Sequence, residues 1–161
     1  MRELKALAVE ALRAKVCTEL EGVERMATLA RDEATSSETK SEGKYDTRAT
    51  EASYLARGQA ERILELRSLK SWYEMRDRSL PVARPVVQVG ALVGLLAEAE
   101  EEEWVFIAPV GGGRVRIGER VIRAISFSSP LGQALRELEP GEAAEVDTPK
   151  GLVELEVRCV L

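Results

Sequence analysis

The sequence predicts an α+β protein in which an antiparallel coiled-coil hairpin of two helices precedes a small antiparallel-sheet domain carrying one helix. Three observations predict it. Up to Leu80 there is no proline, glycine occurs only at positions 22, 43 and 58, and Ala, Glu, Leu, Arg and Lys dominate, the composition of long helices. Beyond Leu80, Val, Ile, Gly and Pro take over, as in short strands joined by turns. The chain of 161 residues is also long enough for two small domains, each with a modest core. The expected boundaries are residues 1–79 for the coiled coil, with its tip near 38–51, then 80–85 for a linker and 86–161 for the second domain.

In the first helix, from Leu4 onward, Leu12, Val16, Leu20, Val23, Ala27, Ala30 and Ala34 recur at steps of four and three. That spacing gives one apolar stripe of coiled-coil type. The stripe resumes in a second helix at Ala52, Ala56, Gln59, Ile63, Leu66 and Tyr73, flanked by Leu55, Leu69 and Met75. Residues 36–47 between them hold Ser, Thr, Gly43 and Asp46, which favour reversals and helix N-caps. Two helices of similar length joined by one short reversal lie antiparallel. At 1.5 Å per residue each is roughly 50 Å long. The small residues Ala27, Ala30, Ala34, Ala52 and Ala56 are expected to let the helices approach closely toward the reversal.

The second domain opens with Val86–Leu96, read as two short strands around a glycine turn, followed by a strand at Trp104–Pro109. The acidic run Glu98 and Glu100–Glu103 reads as a solvated hairpin loop. Gly111-Gly112-Gly113 lacks the Lys-Ser/Thr ending and following helix of a phosphate loop and reads as a turn. Ser128-Ser129-Pro130 supplies a hydroxyl cap and a first-turn proline for a helix through Leu131, Ala134, Leu135 and Leu138. After a Pro140-Gly141 turn, Ala144 and Val146, then Leu152, Val153, Leu155, Val157 and Val160, are interleaved with charges as in a hairpin.

Charge and composition exclude several classes of function. Residues 1–80 carry 15 basic and 15 acidic side chains, whereas residues 81–161 carry 8 and 13 and supply the net charge of −5. No basic field is available for counterion release, so no direct DNA binding is expected, and a protein partner is. Histidine is absent, which removes imidazole as base or zinc ligand and leaves carboxylates suited to a hard ion such as magnesium. Cys17 and Cys159 fall in different expected domains and read as free cytoplasmic thiols. No apolar stretch reaches the roughly 18 to 20 residues needed to span a bilayer. A monomer is expected, with a dimer paired through the arms left open.

Val87-x-Val89-Gly90-x-x-Val93, Trp104-Val105-Phe106-Ile107-Ala108-Pro109, Ser129-Pro130-Leu131-Gly132-Gln133-Ala134-Leu135, Pro140-Gly141-Glu142 and Thr148-Pro149-Lys150-Gly151 together resemble the carboxy-terminal domain of the Gre family (GreA and GreB) of transcript cleavage factors. The resemblance covers residues 86–161 and implies an FKBP-like domain following an antiparallel coiled coil. With only Trp104, Phe106 and Phe127 as aromatics in this domain, no aromatic-lined prolyl isomerase pocket is expected.

The resemblance also implies a partner and a mechanism. The partner is bacterial RNA polymerase, with Ser129, Pro130, Leu131 and Gly132 as docking residues at the rim of its secondary channel. The arm would enter that channel, and tip acids would help the polymerase hold a second magnesium ion that activates water against RNA. The chain would then be an accessory factor, with no cofactor of its own and Mg2+ shared with the polymerase active site. Family tips carry an Asp-Leu-x-Glu-Asn-Ala-Glu-Tyr type of motif; here the region reads Lys44-Tyr45-Asp46-Thr47-Arg48-Ala49-Thr50-Glu51-Ala52-Ser53-Tyr54. Aligning Tyr54 places Thr47 and Thr50 at acidic positions, and a shifted register brings Asp46 and Glu51 near them. Asp46 is the candidate metal-directed acid, assisted by Glu42 and Glu51, with helix capping as its structural alternative. Lys40, Lys44 and Arg48 interleave with these acids, which leaves open a factor that occupies the channel and inhibits without promoting cleavage. A coiled-coil adaptor unrelated to polymerase is the third reading.

Overall fold

The computed structural model describes residues 2–37, 47–75, 85–97, 102–148 and 151–161. In chain order the elements are α1 (Arg2–Ser37), α2 (Thr47–Met75), β1 (Leu92–Ala97), β2 (Glu102–Ile107), β3 (Arg114–Ile117), β4 (Arg120–Ile125), α3 (Pro130–Leu135), β5 (Ala143–Thr148) and β6 (Gly151–Val160). Two long helices followed by a six-stranded, mostly antiparallel sheet with one short helix make up the α+β architecture that the composition shift predicts. Residues 1–15 and 76–161 form one compact unit, and residues 16–75 another.

In the sheet unit the strand order is β3-β4-β2-β1-β6-β5. All neighbours are antiparallel except β2 and β4, where Trp104 lies beside Ile122 and Ile107 beside Ile125. The parallel pair arises because β3 forms the outer edge and β4 doubles back from it to fill the place beside β2. Residues 86–96 contain one strand rather than two: a turn around Gly90 leads into β1, with the Gly90 amide donating to the Ile107 carbonyl at 2.6 Å. Glu102 and Glu103, expected in a solvated loop, already belong to β2, where they pair with Leu96 and Leu95 of β1.

Side-chain alternation sends Val93, Leu95, Val105, Ile107, Leu155 and Val157 to one core, closed over by Val87 and Leu135. Each such fully buried aliphatic contributes about 1.5–3 kcal/mol. The alternate positions Leu92, Trp104, Phe106, Ile122 and Ala124 are buried too, so both faces of the sheet are covered. Residues 1–15 share this unit and bury Ala8, Val9 and Leu12. Lys15 Nζ donates to the Arg114 carbonyl at 3.4 Å, and a Cβ placed on Gly113 would lie 3.9 Å from Leu12 Cδ2.

In the helical unit, Val16, Leu20, Leu66, Leu69 and Tyr73 are buried. Arg62 and Arg67 of α2 reach Glu19 and Glu24 of α1 at 2.5 and 2.6 Å. Toward the C-terminal end of α1 and the N-terminal end of α2 the burial fades. Ala27, Ala30, Leu55, Ala56, Ile63 and Leu64 line an open groove of about 800 Å³, so the small residues expected to draw the helices together leave a gap there. Leu55 and Leu64 remain 63% and 65% exposed.

Candidate functional site

The junction at residues 126–135 combines a turn, a cap and a close backbone approach. Ser129 is the N-cap of α3: its hydroxyl accepts from the Gly132 amide at 3.1 Å and donates to the Ser126 carbonyl at 2.7 Å. Pro130 occupies the first helical turn, where its missing N–H costs nothing. Gly132 is buried because the Ser126 carbonyl sits where a side chain would begin; a Cβ there would lie 2.0 Å from that oxygen. Leu131 is half-buried against the core, and Pro130 is exposed. Of the four expected docking residues, Ser129 and Gly132 are thus fully occupied in building the junction, while Pro130 faces outward. Nearby, Arg136 lies 4.8 Å from the Phe127 ring centroid.

The next turn has equally clear chemistry. Pro140 and Gly141 occupy the central positions of a reversal closed by the Glu142 amide on the Glu139 carbonyl at 3.1 Å, and Gly141 has φ 93°. That is the type II arrangement, which calls for proline first and glycine second. Gly112 and Gly113 bond to Ala124 through their amide and carbonyl, at 2.9 and 3.0 Å. The triple glycine is therefore not the expected turn but irregular backbone that continues the β3–β4 pairing past Arg114.

Of the expected tip acids, Glu51 is described, exposed and on the first turns of α2. Asp46 and Glu42 lie outside the described residues. Among the described residues no three histidine, cysteine or acidic groups gather to hold a metal, and no helix is long and apolar enough to cross a membrane. Among the described residues of this region, Glu51 offers one exposed carboxylate, a ligand type suited to a hard ion.

The structure also shows a charged feature passed over in the sequence reading. The β3–β4 hairpin, residues 114–123, holds four arginines and one acid. Arg120 meets Glu102 at 3.7 Å and lies 5.4 Å from the Trp104 ring centroid; Arg123 meets Glu103 at 2.5 Å. These residues border an open cavity of about 810 Å³. Counting charge over ten-residue windows within the acidic half would have found it.

Residues 82–160 match the family model described as the carboxy-terminal domain of transcription elongation factors GreA/GreB. By its carboxy-terminal domain, this chain belongs to the GreA/GreB family. Comparison with curated proteins finds no match. Among solved structures, the GreA/GreB-family chain is similar to GreA factor homolog 1 (Gfh1) of Thermus thermophilus, at 20% identity over 92% of this chain and 94% of that one, with TM-score 0.40. It is similar to Gfh1 of Thermus aquaticus at 22% identity over 94% of each chain, TM-score 0.40. It also resembles a GreA/GreB elongation factor from Nitrosomonas europaea at 21% identity, over 59% of this chain and 77% of that one, TM-score 0.38. These superpositions are loose, and the assignment of the GreA/GreB-family chain rests on the domain match.

Proposed function

We propose that this GreA/GreB-family chain is an accessory factor of bacterial RNA polymerase that docks at the secondary channel and directs the reversal between α1 and α2 toward the active site. There it would stimulate cleavage of backtracked RNA and so assist elongation. The observation that carries this reading is the family match of residues 82–160 in a chain that also bears two long helices. The junction built by Ser129 and Gly132 would hold Pro130 and Leu131 in a fixed position for docking. Asp46, with Glu42 and Glu51, would complete the shell of a magnesium ion held mainly by the polymerase; metal-activated water is the chemistry that ion supplies. The chain's own residues would provide carboxylate ligands and their placement. On this reading the factor is inert alone and acts as a monomer without contacting DNA directly.

A cleavage assay on stalled elongation complexes tests the reading. Wild type should shorten backtracked RNA from its 3′ end, and Asp46→Ala should abolish most of that activity while still binding polymerase. Equal cleavage by the variant would remove Asp46 from the mechanism. A second reading is favoured by the interleaving of Lys40, Lys44 and Arg48 with the tip acids. It makes the chain a non-catalytic inhibitor, for which wild type would slow nucleotide addition and yield no cleavage product.

A further inference from the structure

The β3–β4 hairpin carries a charge arrangement that the fold itself disfavours. Arg114 and Arg123 are directly opposed across the two strands, with Arg116 two residues further along the same face. Like charges so opposed destabilise a hairpin. Glu103 pairs with Arg123 and offsets part of that repulsion, whereas Arg114 and Arg116 are exposed and make no ion pair among the described residues. Lys15, whose ammonium group sits on the Arg114 carbonyl at 3.4 Å, adds a cation at this edge. The surrounding domain is acidic: residues 114–123 hold half of the 8 basic side chains in residues 81–161, against one of its 13 acids.

Charge on an edge strand keeps it from pairing with another chain, but either sign does that, and glutamates opposite Arg123 would do it without the repulsion. Charge segregated at the expense of self-repulsion is instead the pattern of a surface complementary to a partner. We propose that Arg114 and Arg116, with Lys15 beside them, form a contact surface for an acidic patch on a protein, and that this protein is the RNA polymerase of the proposed function, on which the inference rests. A nucleic-acid backbone fits less well, because Lys15 and two arginines within residues 81–161, which carry five excess negative charges, offer no extended basic track.

The test is affinity for core RNA polymerase across a salt series, comparing wild type, R114E/R116E and R114K/R116K. The charge reversal should weaken binding at low salt by at least about tenfold and flatten its salt dependence, while the lysine variant stays within about threefold of wild type. The reversal should at the same time raise the unfolding midpoint, because the repulsion opposite Arg123 becomes attraction. Equal binding by wild type and the reversal variant overturns this inference and leaves the polymerase reading intact. No binding by wild type overturns both. Loss of affinity for a single-stranded RNA 20-mer, with polymerase affinity unchanged, assigns the surface to nucleic acid and overturns it as well.

Discussion

Replacing Gly132 by alanine tests whether the Ser-Pro-Leu-Gly junction is a structural device. The added methyl carbon would stand 2.0 Å from the Ser126 carbonyl oxygen, 2.8 Å from its carbon and 3.0 Å from Ser129 Oγ. Real Cβ contacts do not come closer than about 3.0 Å, so the carbonyl or the helix must move by at least 1.0 Å. Neither has room to do so freely. The Ser126 carbonyl also takes the Ser129 hydroxyl and amide, at 2.7 and 3.1 Å, and the Gly132 amide is fixed to the same hydroxyl. Overpacking of this kind costs about 1–3 kcal/mol, and weakening two hydrogen bonds adds about 1–2 kcal/mol. The higher helix propensity of alanine returns about 1 kcal/mol. The balance is a loss of about 1–4 kcal/mol, which for a chain of this size lowers the melting midpoint by about 2–16 °C. Urea unfolding followed by circular dichroism, with a thermal scan alongside, measures it. A midpoint equal to or above wild type would refute the reasoning, because helix propensity would then outweigh a contact that the geometry forbids.

Ser129→Ala, which removes the cap hydroxyl and its two bonds, should cost about 1 kcal/mol in the same urea experiment. Leu135→Ala empties a fully buried position in the core under α3 and should cost about 2–5 kcal/mol; a cost below 1 kcal/mol would show that α3 is not packed as described. Burial pushes the Tyr73 hydroxyl above its ordinary value. Its unfolded counterpart therefore ionises first, and stability should be unaffected below about pH 10 and fall above it by up to about 1.4 kcal/mol per pH unit. Tyr73→Phe should flatten that alkaline decline in unfolding curves at several pH values, and an unchanged decline would mean that another group causes it. Arg62→Ala removes the partly exposed pairs to Glu19 and Glu65 and should shift stability by no more than about 1 kcal/mol.

Much of the second domain was legible because its turns leave local chemical signatures. The Pro140-Gly141 reversal and the Ser129 cap each follow from two or three adjacent residues. The β3–β4 hairpin was less visible, since Arg114-Val115-Arg116-Ile117 alternates as a half-buried strand does but over only four residues, the shortest run that carries the signal. Glu102 and Glu103 were misplaced for a related reason: a run of acids reads as solvent-facing, but their strand positions become acceptable only once Arg120 and Arg123 stand next to them. The apolar stripe of α1 announces burial but not its partner. Val9 and Leu12 continue the same spacing as Val16 and Leu20 although residues 1–15 group with the sheet. The tip was legible only as a composition. Of its three acids Glu51 alone is described, and its neighbours give it no distinctive environment.

The distribution of burial along α1 and α2 decides which part of the helix pair opens first. The apolar contacts that stabilise the helix pair gather at Val16, Leu20, Leu66, Leu69 and Tyr73. Toward the C-terminal end of α1 and the N-terminal end of α2, Ala30 and Ala56 are exposed beside the groove and Met26, Leu29, Leu55 and Leu64 stay more than half exposed. The Arg67–Glu24 pair between the helices is largely solvated and is worth at most about 1 kcal/mol. Isolated helices gain little from propensity alone, so opening this part of the pair costs far less than opening the part around Leu66.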